Sequence, residues 1–212
     1  MIDLYTWATP NGKKVSIALE ELGLPYTVHA IDIGKGDQHS AEFTRVSPNR
    51  KIPAIGDHEP GQTLMESGAI LMYLAEKAGR LMPREPQGYW QVVQWLMWQK
   101  AGFGPMLGQA IHFLAFNRGK SPYSESRYHE ETRRLYGVLD AQLAENAFIA
   151  GHEYSIADIA TWPWAARHNL QSIDLDEYPS VLRWYLDIAE RPAVKAGWSV
   201  PGPSDVPLPS GH

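Results

Sequence analysis

Cysteine is absent from all 212 residues, which excludes disulfides, thiolate metal sites and a cysteine nucleophile of the protein's own. Any thiol chemistry here uses a borrowed thiol. Long apolar runs are missing as well: the longest, Ala69 to Ala75, falls far short of the roughly 20 residues that span a bilayer. There is no excess of positive charge, since 19 Lys and Arg stand against 24 Asp and Glu for a net charge of −5. A nucleic-acid backbone would meet overall repulsion, and no such partner is expected. The start, Met1-Ile2-Asp3-Leu4, carries neither a basic leader nor a small-residue cleavage site, so a cytoplasmic protein is expected. The eight histidines never form a pair at ligand spacing beside a carboxylate, and no metal is expected.

What is present suits a folded chain: 44% hydrophobic, 11% aromatic and 20% charged. Ile2 to Thr6 reads as a strand, and from Asn11 the apolar residues Val15, Ala18, Leu19 and Leu22 make a helical stripe that Gly23 ends. Tyr26 to Asp32 predicts a second strand. A short helix follows over Ser40 to Val46, then a hairpin from Pro53–Ile55 and Thr63–Met65, then a helix opened by Ser67 with Ile70, Leu71, Leu74, Ala75 and Ala78 inward. The order is βαβαββα over residues 1–80. Arg80 to Gly88 has the composition of a linker.

Beyond the linker every segment reads as helix. Residues 89–114 carry Trp90, Trp95, Trp98, Met97 and Met106, and residues 123–145 place Leu135, Val138, Leu139 and Leu143 on one side. Ser155-Ile156-Ala157-Asp158 has the spacing of a capping box. A last helix spans Pro179 to Glu190, stopped by Pro192. The expected domains are therefore residues 1–80 and 88–200, followed by a loose tail over 201–212 with four prolines. Gly119-Lys120-Ser121 resembles the end of a phosphate loop, but Leu114 stands where its first glycine belongs. Gly102, Gly104 and Gly108 have the wrong spacing for a dinucleotide fingerprint and suit close helix packing.

Two short stretches carry chemistry. Ser47-Pro48-Asn49-Arg50-Lys51-Ile52-Pro53-Ala54-Ile55 puts an X-Pro bond between a loop and a strand. Glu66-Ser67-Gly68 then sets an acid and a hydroxyl at a helix mouth, where free N–H groups hold carboxylates. In this order, on this frame, the sequence resembles a glutathione transferase: a thioredoxin-like α/β N-terminal domain followed by an all-α C-terminal domain. Thr9-Pro10-Asn11-Gly12-Lys13-Lys14, Gly34-Lys35-Gly36-Asp37-Gln38, Trp95-Leu96-Met97-Trp98-Gln99 and Gly104-Pro105-Met106-Leu107-Gly108-Gln109 are similar to the nu class. The resemblance leaves the tail beyond Val200 uncovered.

The resemblance implies an enzyme that takes glutathione as co-substrate and reduces disulfide bonds with its bound thiolate, with organic peroxide reduction as a side activity. Conjugation of electrophiles, or a non-catalytic binding module on the same fold, is the alternative. It implies Ile52-Pro53 as a cis-proline loop, with Ile52 offering main-chain groups to the cysteinyl part of glutathione. Glu66 would take its ammonium and Ser67 the γ-glutamyl carboxylate. Gln38 and Lys51 would reach the glycyl carboxylate, and Arg127 of the second domain is a further contact. Thr9 stands where related classes carry cysteine, and Asn11 lies in the first helical turn, where a thiolate is stabilised. Thr9 and Asn11 are the expected sulfur-site residues, their other reading being helix capping. Tyr5, inside the strand, is expected in the core. The resemblance also implies a homodimer, with small disulfides or electrophiles as the other partners.

Overall fold

The computed structural model describes residues 1–209 and 211. The chain clusters into two compact units, Met1–Met82 with Glu190–Val206, and Pro83–Ala189 with the segment from Pro207.

Unit 1 is built on a four-stranded sheet in the order β2-β1-β3-β4, from β1 (Ile2–Thr6), β2 (Tyr26–Ala30), β3 (Ala54–Asp57) and β4 (Gln62–Met65). β1 pairs parallel to β2 and antiparallel to β3, and β3 pairs antiparallel to β4. Helix α1 (Pro10–Leu22) makes the parallel crossover, α2 (Ala41–Val46) follows β2, and α3 (Ser67–Ala78) follows β4. The sheet is thus the mixed one of a thioredoxin-like domain. Alternation in β1 sends Ile2, Leu4 and Thr6 into the core. Against them pack Val15, Ala18 and Leu19 of α1 and Ile70, Leu71 and Leu74 of α3, all fully buried. Gly23 ends α1 and Gly79 ends α3 in the left-handed conformation, which costs a glycine nothing.

Two strand limits differ from the sequence reading. β2 stops at Ala30 rather than Asp32, because Asp32 turns to local bonds: its Oδ1 accepts from Gly34 N–H and its own N–H donates to Asp37 Oδ2. The β3 ladder starts after Pro53, which has no N–H to give, and runs on to Asp57.

Unit 2 holds α4 (Pro86–Trp98), α5 (Gly104–Ile111), the long α6 (Pro122–Glu145), α7 (Ile156–Ala165) and α8 (Pro179–Ala189). The expected single helical stretch over 89–114 starts earlier, with Glu85 capping Gly88 N–H, and is interrupted by π-helical segments at Gln99–Phe103 and His112–Phe116. The capping box is present at α7. Asp158 is fully buried and accepts from Ser155 N–H, Ser155 Oγ–H, Ile149 N–H and Trp184 Nε1–H at 2.9 to 3.1 Å. The would-be phosphate loop is filled by the chain itself, since Glu125 Oε1 accepts from Gly119 N–H at 2.7 Å.

The C-terminal part departs most from expectation. Pro192 stops α8 but also opens a further helix, α9 (Pro192–Trp198), and Glu190–Val206 clusters with unit 1 instead of the helical domain of residues 88–200. The 201–212 stretch, expected as a loose tail, has neither helix nor strand among its described residues but is anchored: Ser204 Oγ donates to Trp198 O, and the Tyr185 hydroxyl donates to Pro207 O.

Candidate active site

Strand register gathers the unit 1 site residues at one end of the sheet. Tyr5 lies opposite Ala54, and Ala54 opposite Met65, so the exit of β1, the entry of β3 and the exit of β4 stand side by side. The exit of β2 is at the same end, because Thr6 pairs with Ala30 in the parallel ladder. Thr9 and Asn11 leave the first of these points, Ile52-Pro53 enter the second, Glu66-Ser67 leave the third and Gln38 follows the fourth.

At the β1 exit, Thr9 is extended (φ −117°, ψ 159°) and its Oγ1 accepts from Gly12 N–H at 3.2 Å, with Pro10 at the first helical position. Capping is therefore realised at Thr9. It uses one lone pair of the hydroxyl and leaves the hydroxyl proton for another acceptor. Asn11, half-buried, sits in the first turn of α1, where N–H groups and the positive dipole end collect. Gly12 permits this: a Cβ there would collide with the Trp7 carbonyl and the Thr6 hydroxyl, so only glycine lets α1 start this close to β1.

At the β3 entry the Ile52–Pro53 peptide bond is cis, and Pro53 is buried. Ser47 Oγ donates to Lys51 O at 2.9 Å, holding the loop before it, while Lys51 itself is exposed. At the β4 exit Glu66 has φ 70° and ψ 111°, a conformation that costs a non-glycine residue about 1 to 3 kcal/mol. Such strain is tolerated where the surroundings fix it, and here it sits between β4 and α3. Ser67, the first residue of α3, is almost wholly buried at 2% exposure, whereas Glu66 is exposed. Gln38 occupies a short 3-10 turn, donating through Nε2 to Ile33 O at 3.5 Å, and its Oε1 is buried with no hydrogen-bond partner among the described residues.

Arg127 belongs to unit 2. It is exposed on α6 and lines a cavity of about 590 Å³ with Met106, Tyr123, Tyr128, Glu131 and Arg134. There the Arg134 hydrogen bonds hold the Glu131 carboxyl below the usual range despite burial, and the Arg127 charge adds to this.

Tyr5 corrects the core expectation. It is half-buried on the sheet face away from Leu4, its ring stacked on His29 at 4.7 Å and 6.1 Å from Phe43. Burial first, then the Asp3 and Glu42 charges, push its phenol up. Beside it Asp3 accepts from His29 at 3.0 Å and His58 at 2.7 Å. Among the described residues no group of three or more His, Asp or Glu side chains is arranged to hold a metal.

Comparison with known proteins bears on the family of both parts of the chain. Residues 4–85 match the glutathione S-transferase N-terminal domain and residues 103–192 the glutathione S-transferase C-terminal domain. The disulfide-bond oxidoreductase YfcG of Escherichia coli is 49% identical over 91% of this chain and 92% of its own. A glutathione transferase family member from Pseudomonas fluorescens, crystallised with two glutathione molecules bound, is 45% identical with a TM-score of 0.89, covering 94% of this chain and 93% of that one. A glutathione transferase from Pseudomonas putida, with one glutathione disulfide bound per subunit, is 44% identical with a TM-score of 0.87, covering 95% and 92%. With both halves of the chain matched and the thioredoxin-like sheet presenting its loops at one end, the chain belongs to the glutathione transferase family.

Proposed function

We propose that this chain binds glutathione at the common end of the unit 1 sheet and uses its thiolate to reduce disulfide bonds. The observation that carries the reading is the Tyr5–Ala54–Met65 register, which sets the sulfur residues, the cis-proline loop and the helix mouth side by side. Asn11 and the Thr9 hydroxyl donate to the sulfur, Ile52 offers its main chain to the cysteinyl residue, and Glu66 takes the ammonium. Ser67 holds the γ-glutamyl carboxylate, and Gln38 and Lys51 hold the glycyl carboxylate. Arg127 is a further contact from unit 2.

The step is thiol–disulfide exchange. The glutathione thiolate attacks one sulfur of the substrate disulfide, the other sulfur leaves as a thiolate and takes a proton, and a mixed disulfide remains. A second glutathione attacks the mixed disulfide and yields glutathione disulfide and the second substrate thiol. Two electrons pass from two glutathiones to one disulfide. An organic peroxide would accept the same electrons. The reading draws support from relatives named as a disulfide-bond oxidoreductase and crystallised with two glutathiones or glutathione disulfide. Turnover of a small disulfide measured beside a model electrophile, both with glutathione, tests it: the disulfide should win, and faster conjugation would replace the reading by electrophile transfer.

The same proposal includes a homodimer in the cytoplasm, where glutathione is kept reduced. Trp90 (65% exposed) and Met97 (47% exposed) lie seven residues apart on α4, two turns along one face, and burying them against a second copy removes that apolar surface from water. Sedimentation at micromolar concentration should give the mass of two chains.

A further inference from the structure

We infer that Lys13, a buried lysine outside the glutathione contacts, keeps the bound glutathione sulfur ionised by cancelling the negative end of α9. The inference rests on the proposed thiolate site at the start of α1. Three contacts set the geometry. Lys13 Nζ donates to Trp198 O and, at 2.7 Å, to Val200 O; Ser16 Oγ donates to Gly197 O at 2.7 Å; and Arg191 forks onto Glu21 at 2.6 and 2.8 Å. Rising positions on α1 thus meet falling positions on α9 and its flanks, so the two helices run antiparallel. The contact is intimate, because a Cβ on Gly197 would strike the Ile17 backbone.

An antiparallel partner puts the C-terminal carbonyls of α9 beside the N-terminus of α1. Those carbonyls carry partial negative charge and lie next to the point where a thiolate needs positive charge. Lys13 is 2% exposed, and its ammonium sits on Trp198 O, the last carbonyl of α9, on Val200 O just beyond the helix, and 5.3 Å from the centre of the Trp198 ring. Carbonyl oxygens and an aromatic face are all acceptors for a cation. From a helix rise of 1.5 Å per residue and the length of a lysine chain, the charge is within about 10 Å of the α1 start. At that distance, with little water to screen it, one charge moves a thiol ionisation by about 0.5 to 1 pH unit.

The other charges around α1 are accounted for by their own contacts. Glu21 is bound by Arg191, Glu20 accepts from Tyr26, Lys195 of α9 binds Glu190, Lys77 of α3 binds Asp57 and Glu59, and Asp3 of β1 accepts from His29 and His58. Glu76 on α3 is exposed, Glu66 is assigned to the glutathione ammonium, and Lys14 is a second buried lysine of the same turn whose field is common to every Lys13 variant.

The experiment compares wild type with Lys13→Met, Lys13→Gln and Lys13→Arg. The thiol of bound glutathione is titrated by the ultraviolet absorbance of the thiolate, beside the pH profile of kcat/KM for a small disulfide and a thermal melt. Removing the charge should raise the bound thiol's apparent pKa by about 0.5 to 1 unit and cut kcat/KM roughly three- to tenfold below that pKa, with recovery at higher pH. Lys13→Arg should restore the wild-type titration. Lys13→Gln keeps N–H donors for the two carbonyls, so it decides the matter if Lys13→Met does not fold. A lower melting temperature with an unmoved titration makes Lys13 a structural tie and overturns the inference. If wild type acidifies the thiol and the neutral variants match it, only the role of Lys13 falls; if wild type does not acidify it, the thiolate site falls as well.

Discussion

A threonine hydroxyl has one proton and two lone pairs, and at Thr9 the cap to Gly12 N–H occupies a lone pair only. The cap therefore leaves the hydroxyl proton for a second partner. Thr9→Ala should cost about 1 kcal/mol of stability through the lost cap and lower turnover less than Asn11→Ala does. Asn11→Ala removes a donor to a charged sulfur and should slow disulfide turnover roughly ten- to hundredfold, with an upward shift of the pH profile and glutathione binding retained. An unshifted profile at full rate would take the sulfur away from Asn11. Ser67→Ala, at a buried helix start, should weaken glutathione binding by about 1 to 3 kcal/mol by calorimetry; an unchanged Kd would leave Ser67 as part of α3 alone. Thr9, Asn11 and Ser67 stand out in the sequence because their types suit such chemistry in any context. Lys13 does not, since adjacent lysines read as a solvated face and nothing local tells that residues about 185 positions later supply its carbonyls.

At the scale of elements, the seating of α3 depends on a buried carboxylate at the far end of the helix from Glu66-Ser67. Asp57 closes β3 and accepts from the Tyr73 hydroxyl at 2.7 Å and Glu59 N–H at 3.2 Å, with Lys77 Nζ at 2.9 Å. Burial pushes its carboxyl up, but the bonds from Tyr73, Lys77 and the Glu59 backbone outweigh this and hold it at about 2. Because the folded value lies below the unfolded one, the contribution to stability is complete above the ordinary carboxylate range and is lost as pH falls from about 4 towards 2. Denaturant unfolding across that range should show wild type losing stability faster than Asp57→Asn, and parallel profiles would remove Asp57 as the cause. Helix starts marked by a capping serine were readable in sequence, as at Ser40 and Ser155, whereas α3 opens at Ser67 behind Glu66 with no side-chain cap. The π-helical segments around α5 were not, because one extra residue per turn leaves the apolar pattern of 89–114 looking continuous. Pro192 misled in another way: the same residue that ends α8 is well placed to begin α9.

At the scale of the whole molecule, the change from alternating elements to helix at the linker was visible because composition changes with it. The return of Glu190–Val206 to unit 1 was not, since it is made by contacts that no local periodicity records. The absence of cysteine acts at this scale as well, because it removes an entire branch of exchange chemistry from the chain. A protein thiol would form a mixed disulfide with the substrate and hold it while glutathione resolved it; here both exchange steps belong to glutathione. Intact mass under non-reducing, denaturing conditions should therefore stay that of the unmodified chain when the protein is quenched in mid-turnover with a disulfide and glutathione. Reductase activity should vanish without glutathione and should not return with a simple thiol lacking the γ-glutamyl group, since such a thiol meets none of the donors at the start of α3. Each disulfide reduced should consume two glutathiones and yield one glutathione disulfide. Sustained turnover with the simple thiol would mean that a generic electrostatic pocket at the start of α1, rather than the gathered clamp at the end of the sheet, provides the rate.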